Sequence, residues 1–220
     1  MAGMREGSIK MKTKPDTRIE SDHSPEKRVF GLSGSPRKNG NSDILLKHVL
    51  KGVRQNEVPV ENVRLCNYQY QACIGCEKCR KHQACTGLND GMHLLYPKVI
   101  ESQGIVLVCP THNYNITAWM KAFIDRLYCF YIFDNNRPRG WSSRLMNQKR
   151  KAVIVAVCEQ VDKKDMGFTL EAMRLPIEAL GFDVIGELAV FGIFDRVRVQ
   201  DEDEILTKAI KLGNRLAIAL

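Results

Sequence analysis

Four cysteines lie close together near the middle of the chain, and their spacing is typical of a metal centre. Cys73, Cys76, Cys79 and Cys85 form the pattern C-x2-C-x2-C-x5-C and make up half of the eight cysteines in the 220 residues. The two-residue gaps let a curling loop direct three thiolates at one small object, and Gly75 permits the tight turn. An iron–sulfur cube needs thiolates at four separate iron corners, and Cys85 most simply supplies the fourth.

The same cysteines leave other interpretations open. A tetrahedral zinc site usually takes two ligand pairs separated by a longer loop, which evenly spaced cysteines fit less well, although His82 could enter such a site. The thiols could also hold no metal, and Cys66 could replace Cys85 as a ligand. Three further cysteines fall in strand or helix patterns and are expected to be packed thiols: Cys109, Cys129 and Cys158.

A polar loop, residues 31–42, follows the first predicted strand and is suited to binding an anion. Its sequence, GLSGSPRKNGNS, is neither a Walker A loop nor a GxGxxG fingerprint. It offers small residues, three serine hydroxyls and the start of a helix, whose free N–H groups favour a phosphate. Arg37 can hold two oxygens at once, and Asn41 or Ser42 is expected to cap the helix. An ordinary polar turn is the alternative.

A second polar loop, residues 110–115, follows the third predicted strand. Pro110 fixes the exit from the strand, and the next three residues, Thr111, His112 and Asn113, offer hydrogen-bond donors and acceptors. Tyr114 adds an aromatic face. Such a loop can hold the polar edge of a flat ring, with His112 available as a proton relay, although an ordinary loop between strand and helix would look similar. Asn115 is expected to cap the following helix.

These loops are positioned by alternating strands and helices. Five apolar segments predict strands, and five segments with helical spacing predict amphipathic helices. Apolar strands that alternate with helices indicate a parallel sheet covered on both faces, in which ligands bind beyond the carboxyl ends of the strands. The strands are expected over 29–33, 60–65, 105–109, 152–158 and 182–191. The helices are expected over 42–53, 92–102, 116–131, 169–180 with a kink at Pro176, and 202–220, while 135–149 is expected to be irregular.

Composition excludes several classes of protein. The chain is 44% hydrophobic and 26% charged, which suits one globular domain over residues 29–220, preceded by a flexible arm over residues 1–28. Its apolar runs are too short to cross a membrane, and no secretory signal is visible, so we expect a cytoplasmic protein. The net charge of +8 comes without a long run of Lys and Arg, so nucleic acid is not an expected partner and anionic cofactors are.

Three segments together resemble one known family: Gly34–Ser42, Cys73–Cys85, and Pro110 through the helix that contains Arg126. Over roughly residues 29–190 the chain resembles the iron–sulfur flavoproteins of the NADPH-dependent FMN reductase superfamily. The resemblance implies an α/β, flavodoxin-like, doubly wound sheet of five parallel strands with a cysteine-rich cluster-binding loop within residues 66–91. It also implies homodimers or homotetramers, in which one chain's cluster lies near a neighbour's flavin.

The resemblance further implies the cofactors and their sites. FMN would bind at the strand ends, with its phosphate on the first loop and its ring against the loop that starts at Pro110. A [4Fe–4S] cluster would be held by Cys73, Cys76, Cys79 and Cys85. The residues expected at the flavin are Ser33, Ser35, Pro36, Arg37, Asn41, Ser42, Pro110, Thr111, His112, Asn113, Tyr114 and Asn115.

The function expected from this combination is electron transfer. FMN accepts one or two electrons and a cluster passes one at a time, so the pair would connect a one-electron donor such as ferredoxin, or NAD(P)H, with a small oxidant. A cluster-free, FMN-dependent NAD(P)H oxidoreductase or quinone reductase is the close alternative. A zinc-stabilised binding module that uses its basic face is a further one.

Overall fold

A computed structural model describes residues 27–220. The strands are β1 Val29–Ser33, β2 Val60–Arg64, β3 Gly104–Pro110, β4 Tyr131–Phe133, β5 Trp141–Ser143, β6 Arg150–Val157 and β7 Phe182–Val190. The helices are α1 Asn41–Arg54, α2 Lys78–His82, α3 Tyr96–Glu101, α4 Ala118–Arg126, α5 Thr169–Leu180 and α6 Asp203–Ala219. Short 3-10 turns join several of them.

The main sheet has five parallel strands in the order β2-β1-β3-β6-β7, which confirms the predicted flavodoxin-like, doubly wound fold. The three central strands are almost entirely buried because their apolar side chains meet helices on both faces. One face is covered by α1 and α6, which pack so closely that a Cβ on Gly213 would lie 1.8 Å from the Val49 carbonyl oxygen. The other face is covered by α3, α4 and α5.

The chain departs from the predicted elements after α4. The predicted helix over 116–131 ends at Arg126, a 3-10 turn follows over Leu127–Phe130, and β4 then pairs with β5 in an antiparallel hairpin. β5 lies in the segment predicted to be irregular. Aromatic packing explains the hairpin: the rings of Tyr131 and Trp141 meet edge-on at 5.5 Å between centroids.

Two of the helices contain a proline, at different positions. The predicted helix over 92–102 is divided into a 3-10 turn over Gly91–Leu94 and α3, in whose first turn Pro97 lies. By contrast, α5 continues through Pro176.

Most of the predicted arm, residues 1–28, lies outside the described residues. Arg28 lies within them, and its carbonyl oxygen accepts a hydrogen bond from the Gly104 N–H at the start of β3. Between residues 27 and 220, no helix combines the length and the apolar character that crossing a membrane requires.

Candidate functional site

The first loop and the loop over 110–115 meet at the carboxyl edge of the sheet, because β1 and β3 are neighbours there and their chains leave to opposite faces. They enclose a cavity of about 110 Å³, the first cavity. Most of the predicted flavin residues are brought together in it. Its lining residues are Ser35, Pro36, Arg37, Asn41, Ser42, Pro110, Thr111, His112, Val157, Glu159, Ile193 and Phe194.

The N-terminus of α1 opens onto this cavity without a side-chain cap. Gly40 is the N-cap residue in extended conformation, and α1 starts at Asn41, so the prediction that Asn41 or Ser42 caps the helix is wrong. The Asn41 amide is used elsewhere: its Nδ2 donates to the Asp195 carbonyl at 2.8 Å, and its Oδ1 accepts from the Val199 N–H at 3.2 Å. The first-turn N–H groups therefore remain for an anion, as a phosphate site requires.

Asp43, which the sequence analysis did not single out, fixes the shape of the first loop. Its buried carboxylate accepts from the Ser33 hydroxyl at 2.6 Å and from the Asn39 N–H at 2.8 Å, and it forms an ion pair with Arg64, whose Nε lies 2.9 Å away. Ser33 is fully buried beneath the loop and does not line the first cavity. The available signal was an acid in the first turn of a helix, close to a basic residue that ends the neighbouring strand.

Arg37 is held at the edge of the cavity by Phe194. Its guanidinium lies 4.6 Å from the centre of the Phe194 ring and donates a hydrogen bond to the Phe194 carbonyl at 2.8 Å. A guanidinium fixed in this way loses less freedom when it binds an anion. Phe194 was missed because it follows the last strand, where the sequence shows no local pattern.

The loop over 110–115 contains a tight turn. His112 and Asn115 exchange two backbone hydrogen bonds, at 2.8 and 3.1 Å, and the residues between them, Asn113 and Tyr114, have φ angles of 49° and 62°. Gly167 packs against this turn, where a Cβ would lie 2.2 Å from the Tyr114 carbonyl oxygen. The contact with Gly167 thus helps to hold Tyr114 in the left-handed conformation, which is strained for a residue other than glycine.

This turn separates the first cavity from an adjoining one of about 310 Å³. Thr111 and Glu159 line both cavities, while Asn113 and Tyr114 line the second together with Gln160. Asn115 completes the turn instead, and the cap of α4 is Thr117, not Asn115 as predicted. Asn115 Oδ1 accepts from the N–H of the next residue at 2.8 Å.

The four clustered cysteines line a third cavity, the cysteine cavity, of about 320 Å³. Cys73 and Cys76 are exposed, and Cys79 and Cys85 are half-buried. Gly87 lies so close that a Cβ there would be 2.4 Å from Cys76 Sγ. Within residues 27–220, no three His, Cys, Asp or Glu side chains converge closely enough for one metal ion. The four side chains share the lining of one cavity.

The surroundings shift the pKa values of two cavity thiols in opposite directions. Burial raises the pKa of Cys79, and the neighbouring thiolates of Cys73, Cys85 and Cys76 add to the rise. Burial also acts to raise the pKa of Cys85. However, a hydrogen bond from the Tyr96 hydroxyl, the charge of Arg126 and two backbone N–H groups outweigh burial, so the pKa of Cys85 is lowered.

Cys129 also lines the cysteine cavity, which the sequence analysis did not anticipate. It is buried as expected of a packed thiol, and burial raises its pKa to about 12. Cys109 and Cys158 are buried as well. Cys66 lies outside the cavity, with its thiol 3.5 Å from the Ser35 carbonyl oxygen.

Arg126 holds the cysteine segment, residues 66–91, to the body of the protein. Its buried guanidinium donates to both carboxylate oxygens of Asp90, at 2.7 and 3.1 Å, and to the Gln71 carbonyl at 2.9 Å. Asp125, the neighbour of Arg126 in the sequence, pairs with Lys121 instead. Consecutive helical residues point in different directions and do not face each other.

The two polar loops, residues 31–42 and 110–115, and the cysteine cavity lie at opposite ends of α4. Thr117 caps the helix at its N-terminus and donates to the Gly34 carbonyl at 2.7 Å, which ties it to the first loop. Arg126 ends the helix and lines the cysteine cavity. Nine residues of helix between them correspond to about 13 Å.

Comparison with known proteins identifies the family to which the chain belongs. Residues 27–186 match the family described as NADPH-dependent FMN reductase. An iron-sulfur flavoprotein of Archaeoglobus fulgidus is 30% identical over 192 residues, which cover 87% of this chain and 80% of the relative. An iron-sulfur flavoprotein of Methanocaldococcus jannaschii is 31% identical over 128 residues, which cover 58% of this chain and 61% of the relative.

Solved structures share the fold. An FMN-dependent NADH-azoreductase from Bacillus anthracis, in complex with FMN, superposes with a TM-score of 0.65 at 14% identity, covering 87% of this chain and 99% of the other. An NAD(P)H:quinone oxidoreductase from Methanothermobacter marburgensis has the same TM-score at 16% identity, with the same coverage.

Proposed function

The chain belongs to the NADPH-dependent FMN reductase family and is an FMN-dependent oxidoreductase, and from this premise we propose that it also carries a [4Fe–4S] cluster on Cys73, Cys76, Cys79 and Cys85. In this proposal it moves electrons between a one-electron donor, such as a ferredoxin, or NAD(P)H, and a small oxidant. The observation that carries the proposal is the single cavity walled by all four thiols.

The residues at the sheet edge fit FMN in two parts. The first cavity, with its uncapped helix start and Arg37, suits the phosphate. A volume of about 110 Å³ is too small for a whole flavin, so the ring would lie in the adjoining cavity, against Thr111, Asn113 and Tyr114. Ser35 and Ser42 would donate their hydroxyls to the phosphate, and His112 would stand at the junction.

The cysteine cavity fits a cluster by its donor set. Thiolates are the ligands that iron–sulfur clusters take, and the four expected ligands share one cavity. The short helix α2 contains Cys79 and also three basic residues, Lys78, Arg80 and Lys81. Their positive charges would offset the negative charge of a thiolate-bound cluster. Bound FMN would supply one- and two-electron chemistry, and the cluster one-electron chemistry.

Anaerobic purification followed by flavin and metal counts tests this proposal. We expect one FMN and about four irons per chain. Cys76→Ala should lose the iron and keep the flavin, while Cys66→Ala, outside the cavity, should keep both. Yellow protein without iron would establish the cluster-free alternative, and colourless protein with zinc would establish the binding module.

The electron donor is tested on the same protein. Anaerobic mixing with reduced ferredoxin or with NADPH, followed at the flavin absorption, measures which one reduces it and how fast. We expect at least one of the two to bleach the flavin within a single turnover, and a small quinone to restore the colour. Reduction by neither would contradict the proposed donors.

We also propose that the protein forms homodimers or homotetramers. Large apolar side chains near both sites are exposed, among them Ile74 at 58% and Tyr114 at 59%. Exposed apolar groups of this kind favour contact with another protein surface. Light scattering of the purified protein should give a mass of two or four chains of 25.0 kDa, and a single-chain mass would contradict it.

A further inference from the structure

Two segments near the cysteine cavity are strongly basic. Residues 77–82, which include α2, contain three Lys or Arg residues and one acidic residue, and residues 134–149, which include β5, contain four and one. These two short segments therefore carry more than half of the net charge of +8. Six of their cations define what we call the basic hairpin surface: Lys78, Arg80, Lys81, Arg137, Arg139 and Arg144.

Arg80 joins the two segments. Its guanidinium lies 4.5 Å from the centre of the Phe133 ring in β4, and its Nη2 donates to the Tyr128 hydroxyl at 3.2 Å. Tyr128 lines the cysteine cavity and stacks on Phe133, with 5.0 Å between the ring centroids. Arg137 and Arg139 lie in the turn that connects β4 to β5. The hairpin that carries these arginines therefore begins at the wall of the cysteine cavity.

Most cations of this surface have no carboxylate partner. Within residues 27–220, no ion pair is formed by Lys78, Lys81, Arg137, Arg139 or Arg144. The carboxylates at the cavity are already paired, since Glu77 lies 3.4 Å from Arg80 and Asp125 pairs with Lys121. Cations that are left unpaired in one region attract a partner of opposite charge and speed its association.

Two large apolar side chains of the hairpin are also exposed, Trp141 at 53% and Ile132 at 41%. Protein interfaces are enriched in aromatic and arginine side chains, which this surface combines. A second copy of the chain fits it poorly, because a twofold contact pairs a surface with itself and would bring like charges together. A partner with an acidic surface fits both its charge and its apolar groups.

We propose that the basic hairpin surface docks an acidic one-electron carrier protein beside the cysteine cavity. In the step that docking permits, one electron leaves the carrier, which is oxidised, and enters this protein, which is reduced; no bond forms or breaks. The inference rests on the proposed function, since it says where the proposed one-electron donor binds. Docking itself requires only the protein surface, so it is measured separately from the presence of iron.

Titration calorimetry with an oxidised, acidic [2Fe–2S] ferredoxin measures the docking, at low ionic strength and at about 0.15 M salt. The variant that carries both Arg137→Glu and Arg139→Glu should bind about tenfold more weakly at low ionic strength, and salt should reduce the difference because it screens the charges. The matched control carries Lys211→Glu and Arg215→Glu at exposed positions of α6, which covers the other face of the sheet. It makes the same change in net charge and should bind like the wild type.

A second variant, with Lys78→Glu and Lys81→Glu in α2, keeps the test decisive if the hairpin variant fails to fold, and it should bind more weakly by a similar factor. No binding by the wild type, or equal binding by the wild type, the variants and the control, would overturn this inference alone. Wild-type protein without iron would overturn the proposed cluster, while the calorimetry still decides the docking.

Two further outcomes would assign the surface to a different partner and overturn the inference. One is dissociation of an oligomer into single chains in the hairpin variant, measured by light scattering, which would mean that a second copy covers the surface. The other is binding of duplex DNA by the wild type and not by the hairpin variant, which would make nucleic acid the partner.

Discussion

The proposed flavin edge, which consists of the first loop and the loop over 110–115, and the cysteine segment are both loop regions, but they are attached to the protein in different ways. The first loop and the loop over 110–115 continue directly from buried central strands, and beneath the first of them Asp43 accepts two hydrogen bonds and pairs with Arg64. The cysteine segment has two exposed cysteines and little regular structure. It is attached through the buried pair of Asp90 with Arg126 and through side-chain hydrogen bonds such as that from the Tyr70 hydroxyl to the Trp119 carbonyl at 2.7 Å. The sheet thus preorganises the flavin edge, whereas a few side chains position the cysteines.

This difference predicts that single substitutions act on one site at a time. A change to the pair that holds the cysteine segment should affect iron before flavin, and a change beneath the first loop should do the reverse. Because the helix α4 reaches both sites, a substitution in α4 is the one most able to affect iron and flavin together.

Arg126→Met is expected to have the largest effect. It leaves the Asp90 carboxylate without its partner and removes a buried guanidinium, so the free energy of unfolding should fall by about 3–5 kcal/mol. Urea unfolding measures it. Iron content should fall while FMN content is retained, because the proposed flavin contacts lie at the other end of α4. Lys121→Met, which removes an exposed cation from the same helix, should cost less than about 1 kcal/mol. Equal losses in the two variants would contradict the prediction.

Asp43→Ala tests the region beneath the first loop. The substitution leaves the Ser33 hydroxyl and the Asn39 N–H without their acceptor and the Arg64 guanidinium without its ion-pair partner, so we expect a loss of about 2–3 kcal/mol in unfolding free energy. FMN affinity, measured by fluorescence quenching, should fall about tenfold as the first loop loosens, and iron content should be unchanged. Asp183→Asn, at an exposed ion pair, serves as the control. Iron loss without flavin loss would reverse the comparison.

The acid stability of the protein depends on the carboxylate that holds the cysteine segment. Burial acts to raise the pKa of Asp90, but hydrogen bonds from Arg126 and from the N–H groups of Gln71 and Met92 outweigh it, so the pKa is lowered. A carboxylate whose pKa is lower in the folded state stabilises the fold above its unfolded value, near 3.9, and loses that contribution as the pH falls through the folded value.

The difference in unfolding free energy between wild type and Asp90→Asn should therefore be constant from pH 7 to about pH 5 and shrink below about pH 4. At neutral pH we expect it to be about 1–2 kcal/mol, since the amide still accepts hydrogen bonds. Urea unfolding at a series of pH values measures it. A difference that grows with acid would show that Asp90 is not stabilised as a carboxylate.

The two regions also differ in how far the sequence predicts them. The five strands were predicted because a parallel sheet needs continuous apolar runs such as Ile105–Val108, and all four clustered cysteines were found from their spacing. Asp90 and Phe194, which support the two sites, were missed since their partners are distant in the chain. Arg126 and Asp90 are 36 positions apart, and Arg37 and Phe194 are 157 apart. Neither pair leaves a local pattern, and only the folded sheet brings its members together.

Phe194→Leu is expected to have the smallest effect. The guanidinium of Arg37 lies over the Phe194 ring at a partly exposed site, where such a contact is worth about 0.5–1 kcal/mol, so FMN affinity should fall about two- to fivefold. Arg37→Met should weaken FMN more strongly, and Lys38→Met, which removes an adjacent exposed charge, should weaken it less. If Phe194 acts by holding Arg37, Phe194→Leu should have no further effect in the Arg37→Met background. Additive losses in the double variant would mean that the ring contacts the flavin itself. Arg37 would then not be preorganised by Phe194, and the first cavity would differ less from the cysteine segment than we infer.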